Sequence, residues 1–174
     1  GIILSATIRL HQLRTAAPPV DRGVLMLYNT GSLKHPETQN SILSYVDAMP
    51  YLKRINYSLP LDYAFPNFGW GVWFCNNAFQ AILHQQDYSD ENLYEQTDST
   101  HYRVIKNHYN EGHWLICGDI IRKEISDMVA IEQIKQHLPF SEATSIIMYH
   151  LDENNLKNLD NHEISTFCSR PAAE

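Results

Sequence analysis

The sequence lacks the features that mark several large classes of protein. No apolar stretch approaches the roughly 18–20 residues of a membrane-spanning helix, so we expect no transmembrane segment. Lys and Arg number only 13 against 20 Asp and Glu, which gives a net charge of −7. An acidic chain without basic runs binds phosphate backbones poorly, so we expect no nucleic-acid partner.

Cysteine is scarce as well. Three cysteines, at positions 75, 117 and 168, are too few and of the wrong parity for a disulfide scaffold. A single bridge between Cys75 and Cys117 is left open as an alternative to free thiols. No phosphate-binding loop, nucleophile elbow or dinucleotide fingerprint occurs, so we expect no cofactor.

One stretch is rich in histidine. His101, His108 and His113, with Glu111 nearby, follow a spacing that matches no standard zinc pattern. We therefore expect surface histidines here and no metal site.

The chain does contain enough apolar material for a folded core, since 44% of its 174 residues are hydrophobic. Four runs have the composition of strands, namely residues 3–11, 23–28, 59–64 and 145–151. The continuous apolar run 23–28 is typical of a strand covered on both faces, as in a parallel sheet. Pro60 must stand at the start of its strand, because proline donates no hydrogen bond to a ladder.

Apolar residues at helical spacing separate these runs. Residues 42–52 predict one helix, or two short helices broken near Pro50, and a stripe from Ile125 to Leu138 predicts another that ends before Pro139. A last helix should start at Asp160, because Glu163 stands at capping-box spacing from it.

The stretch 70–121 has a different character. Two apolar runs flank Asn76-Asn77, which is a hairpin signal, and further β-rich runs follow at residues 102–105 and 113–116. We predict a β/α domain made of residues 1–69 and 122–174, with residues 70–121 inserted as a small antiparallel β subdomain. Buried strands separated by helices favour an α/β fold with four mainly parallel strands.

These runs resemble the last four β/α units of a chitinase-like barrel of glycoside hydrolase family 18. Met26-Leu27-Tyr28-Asn29 is similar to the end of that family's sixth strand, and Leu59 to Trp70 to its seventh. Ile147 to Asp152 occupies the place of the eighth strand, and residues 70–121 that of the family's α+β insertion. The resemblance implies half of a TIM-like β/α barrel. The segments 7–12 and 59–64 also resemble a bacterial envelope-protein family with such barrels, which implies an envelope or secreted location.

The chain departs from the glycosidase family in two ways. The family's general acid lies in an Asp-x-x-Asp-x-Asp-x-Glu motif on its fourth strand, and no such motif occurs here. The tryptophan that forms the floor of the family's sugar site is replaced by Tyr149. Because the family's mechanism needs that acid to protonate the leaving oxygen, we expect no glycosidase activity from this chain alone.

Active sites of β/α barrels lie at the carboxyl ends of the strands, so candidate ligand-binding residues are sought there. They are Arg9, His11, Tyr28, Asn29, Asp62, Tyr149, His150 and Asp152. Flat rings stack on sugars, and polar groups bind sugar hydroxyls, so the set suits a glycan. The alternative is that Arg9, His11 and Asp62 form a polar cluster inside the barrel.

Among the carboxylates, Asp62 is the best single candidate for an acid or base role, because apolar surroundings would raise its pKa. The alternative is a buried aspartate that pairs with Arg9. We therefore keep Asp62 as a catalytic candidate only.

Three functions remain open. The first is a degenerate, non-catalytic domain that binds a glycan or acts as a scaffold; the others are a polysaccharide-active glycosidase completed by an upstream half, and a structural remnant. Four strands of an eight-stranded barrel would leave two open edges and an apolar inner face. We expect a two-fold homodimer, in which each copy covers the open side of the other. Alternatively, residues 12–22 or the insertion fold back over the edge.

Overall fold

The computed structural model describes residues 1–53, 55–150, 152–156 and 159–171. The chain divides into two compact units. The first consists of Gly1–Thr30, Ile42–Phe68 and Ser126–Glu174, and the second of Gly31–Ser41 and Gly69–Ile125. The sequence patterns gave no sign that Gly31–Ser41 belongs with the antiparallel strands.

The strands in chain order are β1 (Ser5–Arg9), β2 (Arg22–Met26), β3 (Leu61–Pro66), β4 (Gly69–Cys75), β5 (Ala78–Leu83), β6 (Tyr94–Gln96), β7 (His101–Val104), β8 (His108–Asn110), β9 (His113–Leu115), β10 (Ile120–Ile125) and β11 (Ile146–Tyr149). The helices are α1 (Tyr45–Leu52), α2 (Met128–Lys135), α3 (Glu153–Leu156) and α4 (Asn161–Cys168). A short 3₁₀ helix, Leu10–Arg14, follows β1.

The first unit is built on a four-stranded sheet in the order β1-β2-β3-β11. All three neighbouring pairs are parallel, which confirms the predicted α/β fold with a four-stranded parallel sheet. The predicted first strand was too long, because the chain turns into the 3₁₀ helix after Arg9 and His11 lies in that helix. Leu151, the last residue of the predicted fourth strand, lies outside the described residues.

Capping residues mark the starts of α2 and α4. A single helix, α1, runs through Pro50, whereas Ile42 and Leu43 are buried before it begins. The prediction that α2 starts at Ile125 was wrong: Ile125 ends β10, and Asp127 caps α2 by accepting hydrogen bonds from two backbone N–H groups. The capping box of Asp160 and Glu163 at α4 is confirmed.

None of the helices in the described ranges combines the length and the apolar character needed to cross a bilayer.

The two faces of the parallel sheet are covered to different extents. One face carries Ile8, Leu25 and Phe65, all at most 1% exposed. The ring of Phe65 contacts Phe167 of α4, with ring centroids 6.2 Å apart, and Lys135 of α2 lies over it. Helices therefore cover this face, as a parallel sheet requires.

We call the other side of the sheet the open face. Because paired residues of neighbouring parallel strands share a face, it carries Thr7, Arg9, Val24, Met26, Asp62, Ala64, Ile147 and Tyr149. Its side chains on the edge strands are exposed, with Ile147 at 37% and Tyr149 at 44%. Within the described residues, the parallel sheet is thus well covered on one face only.

The second unit is an antiparallel sheet in the order β5-β4-β10-β7-β6, with a separate β8-β9 hairpin. The antiparallel arrangement was predicted, and so was the turn at Asn76-Asn77. Both asparagines have positive φ angles, 49° and 61°, which a tight two-residue hairpin turn requires. The two predicted runs near 102–105 and 113–116 belong to different sheets, because β7 pairs with β10 and β6 while β9 pairs with β8.

A buried ion pair attaches Gly31–Ser41 to the antiparallel sheet. Arg122 and Glu124 of β10 pair at 2.6 Å, and both side chains are fully buried. Arg122 donates to the backbone oxygens of His35 and Pro36, and Glu124 accepts hydrogen bonds from the backbone N–H and the hydroxyl of Ser41. The charges are therefore compensated, and the loop is fixed by contacts distant in sequence.

We predict that Asp127→Ala destabilises the protein by about 1 kcal/mol, because it removes the cap from α2. The matched control is Gln133→Ala, an exposed substitution within the same helix that should change the free energy of unfolding by less than about 0.5 kcal/mol. Urea denaturation followed by circular dichroism measures both. Equal stability of the two variants would contradict the capping role of Asp127.

Candidate functional site

A cavity of about 220 Å³ lies at the carboxyl ends of β1 and β2. Its walls come from the end of β1 and the 3₁₀ helix, from the turn after β2, and from α1. The lining residues are Arg9, Leu10, His11, Met26, Tyr28, Asn29, Thr30, Asp47 and Tyr51. This is the edge of the sheet at which β/α proteins bind their ligands.

Aromatic rings from three strand ends meet beside this cavity. Tyr28, after β2, and Tyr149, at the end of β11, stack with ring centroids 4.8 Å apart and planes inclined by only 5°. Phe68, after β3, contacts both rings edge-on at 6.1 Å. The His150 ring stacks on Phe68. The peptide bond between Tyr149 and His150 is cis.

The stacked pair of Tyr28 and Tyr149 is an amphipathic surface rather than an acid–base group. Burial raises the pKa of Tyr28 above its ordinary value of 10.0, the neighbouring Tyr149 raises it further, and the positive charge of Arg9 opposes the rise. The Tyr28 hydroxyl therefore stays protonated at neutral pH. It offers one donor and two acceptor positions beside an apolar ring face.

Polar side chains line the rest of the cavity. Arg9 is exposed at the last position of β1, and His11 is exposed at the second position of the 3₁₀ helix. Asn29 has a positive φ of 56°, and its backbone N–H donates to the carbonyl of Ile42, so the turn after β2 is fixed while the amide side chain is exposed. Donors and acceptors thus surround a small cavity with an aromatic side.

The structure brings together most of the candidate residues predicted from the sequence. Arg9, His11, Tyr28 and Asn29 line one cavity, and Tyr149 stacks on Tyr28. His150 lies next to this group, against Phe68.

Asp152 takes a local structural role. It precedes α3, and its carboxylate accepts a hydrogen bond from the backbone N–H of Asn155. Its backbone carbonyl accepts the N–H of Leu156. These are the contacts of a residue that caps a short helix.

Asp62 is the clear exception to the predicted site. It is the second residue of β3, so it lies near the amino end of the strand and not at the carboxyl end, where it was predicted. Its partner is Arg22 at the start of β2, with two hydrogen bonds of 2.7 and 3.2 Å, and the predicted pairing with Arg9 is wrong. The strand begins later than the sequence suggested, because Pro60 stands before it.

The electrostatics of Asp62 differ from the expected ones. Burial by itself would raise the pKa of Asp62, but hydrogen bonds from Arg22 and from the backbone N–H of Ser145 outweigh it, and the pKa lies below its ordinary value of 3.8. The predicted rise in pKa was therefore wrong. An ionised, fully paired carboxylate does not donate a proton near neutral pH.

The remaining candidate groups of the sequence have ordinary partners. The side chains of His101, His108 and His113 contact Asp98, Tyr94 and Trp73 respectively. Among the described residues, no three His, Cys, Asp or Glu side chains are arranged to hold a metal ion. The three thiols are free, so Cys75 and Cys117 do not form the bridge that was left open.

Sequence reasoning missed Thr30, Asp47, Tyr51 and Phe68. Three of them line the cavity, and Phe68 contacts both stacked tyrosines. Only the position of Asp47 carried a signal: it lies in the first turn of the helix that follows β2, and such helices start near the carboxyl edge of a parallel sheet.

No protein-family model, curated protein or solved structure matches this chain.

We predict that Asp62→Asn lowers the free energy of unfolding by about 2 kcal/mol at pH 7, because it leaves Arg22 without its charged partner. Since the folded-state pKa of Asp62 is lowered, its contribution is complete above the unfolded value of 3.8 and is lost as pH falls through the folded value. Urea titrations at several pH values should show the two proteins converging below about pH 4.

The control for this experiment is Glu142→Gln, which removes an exposed carboxylate. It should leave stability at pH 7 unchanged within about 0.5 kcal/mol. A constant gap between the wild-type protein and Asp62→Asn down to pH 2 would contradict the assigned ion pair.

Proposed function

We propose that this protein is a non-catalytic glycan-binding domain whose site is the cavity at the carboxyl edge of the parallel sheet. The observation that carries the proposal is the stacked pair of Tyr28 and Tyr149 beside that cavity, with Tyr149 44% exposed. Aromatic faces bind the C–H-rich faces of sugar rings. The resemblance of the segments 7–12 and 59–64 to a bacterial envelope-protein family supports, as part of this proposal, a location in the envelope or outside the cell.

The polar groups of the cavity support this assignment. Arg9, Asn29 and Asp47 offer charged donors, an amide and a carboxylate, which are the groups that hydrogen-bond sugar hydroxyls. The cavity is smaller than the about 300–1,000 Å³ of sites for drug-sized molecules. One sugar residue of a longer glycan fits such a volume.

The resemblance to family 18 glycoside hydrolases is part of this proposal. It supplies a reason for a sugar site at this edge, with Tyr149 in the position of the family's tryptophan. The chain holds no copy of the acidic fourth-strand motif, and Asp62 is ionised and paired with Arg22. Binding without hydrolysis is therefore the function that the residues support best.

We predict that Tyr149→Ala weakens glycan binding by about ten-fold, because it removes one ring of the stack. Isothermal titration calorimetry with chitin-type and gluco-oligosaccharides measures the change. The matched control is Tyr109→Ala, which removes another exposed tyrosine, 73% exposed, in the antiparallel unit. It should leave affinity unchanged.

Two results would replace the proposal by its alternatives. Turnover of these oligosaccharides by the purified chain would favour the glycosidase alternative. The absence of binding to every glycan tested would favour a structural remnant.

We also propose that the sheet is half of a β/α barrel that a second copy of the chain completes. In the described part of the chain, β1 and β11 each pair with a neighbour on one side only. A two-fold axis parallel to the strands keeps all strands in the same direction and places β1 of one copy beside β11 of the other at both seams. Eight parallel strands would then close around the two open faces.

We predict a mass near 40 kDa in sedimentation equilibrium at micromolar concentration, twice the 20.1 kDa of the chain. Ile147→Lys, on the open face of β11, should shift the protein to the monomer, because it buries a charge at the seam. The matched control, Val129→Lys, changes an aliphatic residue of α2 that is 66% exposed and should remain a dimer. A folded wild-type monomer of 20 kDa would contradict the proposal.

A further inference from the structure

We infer that the cavity at the carboxyl edge takes a sugar that carries a carboxylate group, and that Arg9 provides the counter-charge. This inference rests on the glycan-binding function proposed above and narrows it to one chemical class of glycan. It starts from the absence of a partner for Arg9, which differs in this from the other arginines that the structure describes.

Every other arginine of the described residues has a partner within the chain. Arg22, Arg103 and Arg122 pair with Asp62, Glu95 and Glu124, and Arg14 and Arg170 donate to the backbone oxygens of Pro50, Glu142 and Thr144. The guanidinium group of Arg9 forms neither a hydrogen bond nor an ion pair within these residues. Its five N–H donors are therefore available to a ligand.

Arg9 lies where its free donors can reach a ligand in the cavity. Arg9 ends β1 and lines the same cavity as Tyr28, and its positive charge lowers the pKa of the Tyr28 hydroxyl against the larger effects of burial and of Tyr149. A ligand that lies on the stacked tyrosines is thus within the field of the guanidinium. The aromatic surface and the free cation belong to one cavity.

Asp47 is the one acidic residue among the described residues that line the cavity. It lies in the first turn of α1, where the free N–H groups and the helix dipole stabilise a negative charge. Within the described residues it forms no ion pair with Arg9. Arg9 therefore lines the cavity as a cation that no carboxylate of the described residues neutralises by an ion pair.

A carboxylate is the anion that suits this arrangement best. The planar guanidinium binds a carboxylate through two parallel N–H···O bonds, which fixes the plane of the bound group. A uronic acid presents such a carboxylate at the edge of a flat sugar ring, so its ring can lie on Tyr28 while its edge meets Arg9. The small cavity admits one such residue. Phosphate and sulfate esters also accept two guanidinium N–H donors, but their ester oxygen holds the bulkier tetrahedral group further from the sugar ring than the carboxylate of a uronic acid.

The test compares two ligands that differ at a single carbon. Methyl β-glucoside and methyl β-glucuronoside have the same ring, and only the second carries a carboxylate. Nuclear magnetic resonance titration of the full chain should give a dissociation constant about ten-fold lower for the glucuronoside, and glucose 6-phosphate should bind less tightly than the glucuronoside. Raising the salt concentration should weaken binding of the glucuronoside only.

Variants assign the effect to Arg9. Arg9→Gln should reduce the ten-fold preference for the glucuronoside over the glucoside to less than about two-fold, whatever affinity it retains for the neutral glycoside. The control Arg103→Gln removes an arginine of the antiparallel unit that pairs with Glu95 at the surface, and it should preserve the difference.

Other outcomes would contradict the carboxylate site, the choice of anion or glycan binding itself. Equal affinity of the wild-type protein for the two glycosides, or an unchanged difference in Arg9→Gln, overturns the inference and leaves glycan binding standing. Tighter binding of glucose 6-phosphate than of the glucuronoside overturns the choice of a carboxylate. If neither the monosaccharides nor longer neutral and acidic oligosaccharides bind, the proposed function fails together with the inference.

Discussion

A parallel sheet that is well covered on only one face is the constraint on which the first unit depends. Strands of such a sheet are stable when both faces are removed from water, and here α2 and α4 cover one of them through Phe65 and Phe167. The open face instead places Thr7, Arg9, Ile147 and Tyr149 in contact with solvent. Both proposals, a ligand at the carboxyl edge and a second copy at the open edges, follow from this uneven coverage.

The polar residues of the open face differ in their hydrogen-bond partners between the two ends of the strands. Near the amino ends, Arg22 and Asp62 satisfy each other and Ser145, so this layer is a stable polar cluster without a free group. Near the carboxyl ends, Arg9 has no such partner among the described residues, and the rings of Tyr28 and Tyr149 are only partly covered. The stabilising polar cluster and the proposed binding site therefore lie at opposite ends of the same strands, as is usual for β/α proteins.

In the second unit, as in the first, charged side chains pair with each other and with nearby polar groups. Arg122 and Glu124 are completely buried in β10, and each has several hydrogen-bond partners that offset the cost of burying it. Those partners include the backbone of Gly31–Ser41, which has no regular secondary structure of its own. A buried pair of charges thus fixes a loop that apolar packing alone would leave undetermined.

The sequence by itself determined the local elements. Short runs with the composition of strands identified the four parallel strands, and Asn76-Asn77 identified the β4–β5 hairpin. Asp160 with Glu163 identified the start of α4, because each of these signals acts over a few residues. It also indicated Arg9, His11, Tyr28 and Asn29 as neighbours, since parallel strands end at a common edge.

Only the tertiary structure decided which distant groups meet. Asp62 pairs with Arg22, forty positions away, and not with Arg9, because the register of β3 against β2 places it near the amino ends. Arg122 reaches His35 across 87 positions. Register and loop attachment depend on the packing of whole elements, and a pattern read along the chain contains no measure of that packing.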